Sequence, residues 1–141
     1  FDGGVLEELD VAAAVAFCKS RGLDNLWIVG WSFGTELAIK YGPDHHIAGA
    51  ILLSPPLHRA TEVDLLRWVD FGKPMHVLVP ELDDYLKPDE AAVRFGIVPQ
   101  AKVYAFDGEK HLWVGENATR RVLNQIAEIL LPGFGELPTS Y

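Results

Sequence analysis

The 141-residue sequence contains a single cysteine and no long hydrophobic run, and its basic residues are outnumbered, with 12 Lys and Arg against 20 Asp and Glu. Each shortage excludes a class of protein. Cys18 alone cannot close an internal disulfide, and with no CxxC pair or Cys/His cluster there is no structural-metal pattern. A reducing compartment, the cytoplasm, is the expected location. A membrane-spanning helix needs about 20 consecutive apolar residues, and no stretch approaches that length. The opening FDGGVLEELD lacks the basic-then-apolar order of a signal peptide, so NAT at 117–119 reads as a chance match to a glycosylation acceptor. A formal net charge of -8 disfavours nucleic acid and anionic membrane surfaces as partners, because that affinity rests largely on Lys and Arg neutralising phosphates.

What is present is ordinary globular composition, 49% hydrophobic and 23% charged, which predicts one folded domain over residues 1–141 with an irregular tail at 132–141. Four short runs, LWIVG (26–30), AGAILLS (48–54), MHVLVP (75–80) and KVYAF (102–106), are nearly continuously apolar. Strands covered on both faces of a parallel sheet have this character. Helical segments alternate with them at 6–22, 36–42, 61–72, 88–95 and about 117–130. The 61–72 segment has a candidate Thr61 cap and stops at Gly72 and Pro74. Cys18 shares a helical face with Val11, Ala14 and Val15, which predicts a buried small hydrophobe. The alternation predicts an α/β fold: a doubly wound, three-layer domain of about four parallel strands with helices on both faces. Ligands in such folds bind beyond the carboxyl ends of the strands, just after residues 30, 54, 80 and 106.

After the first run comes GWSFG, residues 30–34. As a bare pattern it occurs by chance in roughly one chain in twenty of this length, so its position between a strand and a helix carries the weight. A very tight turn there strains the middle residue, lifts Ser32 above the sheet and asks for small neighbours at Gly30 and Gly34. It also sets the Phe33 amide at a helix N-terminus, aimed where an oxyanion forms. After the third run, PELDDYLKP offers Glu81, Asp83 and Asp84 as acids able to orient an imidazole. Asp83 is favoured by the short turn that reaches it, and Asp84 is the alternative; one of the two is also expected to cap the helix opening near Pro88. After the fourth run, FDGEKHLW places His111 in a loop that can swing over the sheet edge. His45 and His46 precede the second strand and His76 lies inside the third, which leaves His58 as the competitor. An imidazole, with a usual pKa of about 6.5, serves as a general base at neutral pH.

GWSFG, PELDD and KHLW, in that order at successive strand ends, resemble the α/β-hydrolase superfamily, especially its small bacterial esterase-like and dienelactone-hydrolase-like members without a large lid. The likeness covers about residues 1–131. It implies a serine hydrolase that cleaves a carboxylic ester or related acyl bond through an acyl-serine intermediate. Ser32 would be the nucleophile, His111 the general base and then acid, Asp83 the residue that fixes the imidazole, and the Phe33 backbone N–H an oxyanion donor. It implies a small-molecule ester-type substrate and no metal or organic cofactor. Trp31, Leu57 and Trp113, with Phe33 and Trp68, are candidates for an apolar substrate pocket.

The sequence also departs from the family pattern. In the family the strand before the serine is the fifth of about eight, and a loop after the third supplies a second oxyanion amide. Here that strand is the first, and the opening FDGGVLEELD is similar to the family's stretch just beyond the fourth strand. The expectation is that an N-terminal portion of the fold lies outside these residues, the chain being a fragment of a longer hydrolase or, as the alternative, a natural short form that recruits a partner chain. The edge of the 26–30 strand is then exposed and invites self-association into a homo-oligomer. Two other readings compete: a non-catalytic α/β-hydrolase-like binding module, and a nucleotide-binding doubly wound domain, for which GWSFG lacks both the GxGxxG spacing and a phosphate-loop lysine.

Overall fold

A computed structural model describes residues 3–138. The chain runs through α1 (Glu7–Ser20), β1 (Trp27–Trp31), α2 (Phe33–Tyr41), a single 3-10 turn (Gly42–Asp44), β2 (Gly49–Leu53), α3 (Glu62–Phe71), β3 (Met75–Pro80), α4 (Pro88–Phe95), β4 (Ala101–Phe106) and α5 (Glu116–Leu130). The strands form one parallel sheet in the order β1-β2-β3-β4. Because each strand is added on the same side of the last, right-handed crossovers deliver α2, α3 and α4 to one face. There Ile39, Trp68 and Phe95 pack with Leu52, Met75 and Val77, and Val15 of α1 joins them. The indole of Trp68 is fully buried and donates to the Ile39 carbonyl at 2.9 Å. On the other face α5 lays Ala118 and Val122 against Ile51, Leu78, Phe106 and Trp113.

Local chemistry sets the ends of these elements. Thr61 closes a capping box with Asp64, and α3 stops at Gly72, whose φ of 67° is the left-handed conformation that glycine adopts readily. The α4 and β3 boundaries are those expected from the sequence, while β1 runs one residue further along, and α2 starts at Phe33, directly out of the turn.

Two expectations change. The outer strands are not covered on both faces: Val29 and Trp31 of β1 are 47% and 48% exposed. Continuous apolarity does not reveal whether a second layer stands over a strand, and the cluster under α5 takes in Ile51 of β2 with residues of β3 and β4 but not Val29 or Trp31 of β1. Cys18 is half-buried, because α1 meets the sheet mainly through Val15, and Phe17 beside it is 64% exposed. Residues 131–138 form no helix or strand. Among the described residues, no helix is long and apolar enough to cross a membrane.

Candidate active site

The register aligns the strand ends, pairing Trp31 with Leu53, Leu53 with Leu78, and Pro80 with Phe106. The loops after β1, β3 and β4 therefore open at one edge of the sheet. In the first of them Ser32 has φ 50° and ψ -118°, a strained conformation for a residue with a side chain. The turn closes so tightly that a Cβ on Gly30 would stand 2.4 Å from the Gly34 carbonyl oxygen. Gly34 itself is under no such demand, since an added Cβ there meets nothing within 4 Å. The crowding is between the strand end and the helix backbone, so only the residue on the strand side has to lack a side chain. Ser32 N–H donates to Leu53 O at 2.9 Å, and the Ser32 carbonyl accepts from the hydroxyl and amide of Thr35 at 2.6 and 3.0 Å. The elbow is thereby held to β2 and to the first turn of α2, of which Phe33 is the first residue.

The three acids after β3 take three different positions. Asp83 is 3% exposed; its Oδ1 accepts from the Tyr85 amide at 2.9 Å, and its Oδ2 lies 2.9 Å from His111 Nδ1. Glu81 accepts from the Gly108 amide at 2.7 Å and so braces the loop that carries His111. Asp84 is exposed. Neither aspartate caps α4, whose N-cap is Lys87 with no side-chain cap; Pro88 at the first helical position already supplies the backbone angle and has no N–H to satisfy.

His111 is 8% exposed, and its Nε2 lies 2.8 Å from Ser32 Oγ. A carboxylate only accepts, so Nδ1 carries the hydrogen toward Asp83, and Nε2 is left to accept from the Ser32 hydroxyl. Tyr85 sets its ring edge-on against the imidazole, centroids 4.7 Å apart. His58 is exposed and meets this group only through Tyr85, at 5.3 Å. His76 is half-buried in β3, with Nδ1 2.9 Å from the Tyr104 hydroxyl; burial first, and Lys102 second, push its pKa below the usual value.

The candidate pocket residues do not converge. Trp113 is 6% exposed and packs edge-on against Phe106 in the core beneath α5, and Trp68 belongs to the opposite core, so neither presents a surface to solvent. Each has a buried partner for its indole N–H, which is why a large aromatic is accommodated there. Leu57 is 5% exposed and Trp31 is 48% exposed. Phe33 lies under the Arg59 guanidinium, 5.6 Å from its ring centre.

Sequence reading missed Glu36. It is 1% exposed in α2, one turn beyond Ser32, and accepts from the amides of His58 (2.8 Å), Ala60 (2.7 Å) and Arg59. The one signal for it was a lone charge in the otherwise apolar stretch ELAI. It also missed Ser54, 1% exposed at the end of β2, which no motif marks.

No protein-family model matches the chain, and no curated protein matches it. Solved structures do. The chain is similar to an α/β serine hydrolase homologue from Coxiella burnetii, with TM-score 0.73 and 18% identity over 96% of this chain and 62% of that one. It is similar to a lid-less α/β serine hydrolase from Xanthomonas campestris, with TM-score 0.74 and 20% identity over 96% and 62%. A Pyrococcus furiosus esterase gives TM-score 0.74 and 18% identity over 94% and 64%. The chain has the α/β-hydrolase fold. It spans less than two thirds of the length of these three structures.

Proposed function

We propose that this chain carries the Ser32–His111–Asp83 centre of a serine hydrolase acting on a carboxylic ester or related acyl bond. The observation that carries this reading is the unbroken line from Ser32 Oγ through both ring nitrogens of His111 to Asp83 Oδ2, with steps of 2.8 and 2.9 Å. His111 Nε2 takes the hydroxyl proton as Ser32 Oγ bonds to the carbonyl carbon of the substrate. Asp83 stabilises the imidazolium that forms, and the Phe33 amide at the positive end of the α2 dipole receives the oxyanion. Collapse of the tetrahedral intermediate breaks the acyl–oxygen bond, and the imidazolium returns its proton to the leaving alcohol. A water deprotonated by His111 then attacks the acyl-serine and releases the carboxylic acid, restoring the Ser32 hydroxyl.

Phe33 and Trp31, the chain neighbours of Ser32, would form the acyl-side wall. Hydrolysis of short-chain p-nitrophenyl esters tests the assignment. Ser32→Ala and Asp83→Asn are expected to lower kcat on the order of 10⁴-fold with KM little changed. If His111→Ala keeps wild-type turnover, the reading fails and a binding role takes its place.

A further inference from the structure

What fixes His111 is not obvious from its loop, which has glycines of positive φ at Gly108 and Gly115 and leaves Leu112 and Val114 59% and 78% exposed. Before His111, the loop is tied to the β3 turn by Leu82 N–H on Glu109 O (2.9 Å) and by Glu81 on Gly108. At His111 itself two further donors converge on one atom. Its main-chain carbonyl accepts from Ser54 Oγ–H at 3.1 Å and from Trp31 Nε1–H at 3.2 Å. Ser54 Oγ in turn accepts from Trp113 Nε1–H at 2.9 Å, so its hydroxyl both donates and accepts.

We propose that Ser54 and Trp31 are positioning residues: by holding the His111 carbonyl they set where its imidazole stands relative to Ser32. Trp31 is the immediate neighbour of Ser32, so the elbow grips His111 twice, through the backbone by Trp31 and through the ring by Ser32. Ser54 anchors the same carbonyl to the end of β2, the strand between those that deliver Ser32 and Asp83. Backbone strain supports the assignment. Among the described residues four non-glycines have positive φ, and three of them, Ser32 (50°), Ser54 (49°) and Trp113 (51°), belong to this one network. Such conformations persist only where the surroundings over-determine them. A serine is suited to the position, being small, able to donate and accept at once, and free of the β-branch that would aggravate a positive φ.

This inference rests on Ser32 being the nucleophile that His111 activates, and its test separates the two. Ser54→Ala, Trp31→Phe and the double variant are compared with the unaltered chain by the rate at which a fluorophosphonate labels Ser32. The low-field proton signal of His111 Nδ1–H is followed in parallel by NMR. Ser54→Ala is expected to slow labelling about 10- to 100-fold, because small misplacements of a reacting group carry penalties of that order. Trp31→Phe is expected to slow it several-fold, and both variants should broaden the His111 signal. Trp31 is half exposed, so its substitution leaves the cores intact and decides the matter even if Ser54→Ala does not fold. A purely structural role would lower the melting temperature while leaving the labelling rate of folded protein and the His111 signal unchanged; that result overturns the proposal. If the unaltered chain does not label at Ser32, the nucleophile assignment falls, and an unchanged His111 signal in both variants would separately dispose of the positioning role.

Discussion

At the scale of single residues, Gly30 and Ser32 divide the demands of the elbow between them. Ser32 accepts the strained backbone, while Gly30 provides the space, and the 2.4 Å that a Cβ there would leave to Gly34 O is too short for any side chain. Gly30→Ala is therefore expected to lower stability by about 1–3 kcal/mol, measured by urea unfolding, because the obstacle is backbone and cannot rotate away. It should also reduce Ser32 reactivity by displacing α2. Gly34→Ala, with open space around it, should change stability by less than about 1 kcal/mol. The GWSFG pattern presents the two glycines as equivalent, and only the direction in which each backbone faces separates them. The same holds for Asp83 and Asp84: adjacent carboxylates are alike in sequence, and the turn that ties Asp83 Oδ1 to the Tyr85 amide is what aims one inward and leaves the other in solvent.

Among elements, the loop from Ser54 to Ala60 depends on a carboxylate that lies outside it. Glu36 accepts three consecutive amides, so it caps that loop as an N-terminal residue caps a helix. Glu36→Gln replaces one acceptor oxygen by a donor facing N–H groups in a buried site. We expect a loss of about 1.5–3 kcal/mol in urea unfolding, and a rise in KM larger than the fall in kcat, since the loop that lays Arg59 over Phe33 moves while Ser32 and His111 keep their bond. An effect on kcat alone would contradict this assignment. The elements themselves were well marked in the sequence where signals are local: the Thr61 box, Gly72, and Pro88 opening α4. The role of Glu36 was not legible, because its partners lie 22 to 24 residues away and are backbone amides that any sequence would supply.

For the whole molecule, parallel order and strand-end placement came from the alternation of apolar runs with helices, and that was enough to find the three loops that now meet at one edge. Coverage of the sheet was not legible, because burial depends on neighbours in space. Among the described residues β1 pairs only with β2, and a cleft of about 360 Å³ between α1 and β1 is lined by Val11, Ala14, Val15, Leu26 and Ile28. With Val29 and Trp31 also exposed, we expect concentration-dependent self-association of the chain in sedimentation velocity, weakened by Val29→Lys. A monomer at all concentrations would contradict it.

The proposed chemistry requires that Ser32 become covalently bonded to an acyl or phosphonyl group because His111 removes its proton. Intact-mass spectrometry after fluorophosphonate treatment, with the modified peptide sequenced, tests this most directly. The expected result is one adduct per chain on Ser32, absent from Ser32→Ala and strongly slowed in His111→Ala. Absence of any adduct, or an adduct that survives Ser32→Ala, would contradict it.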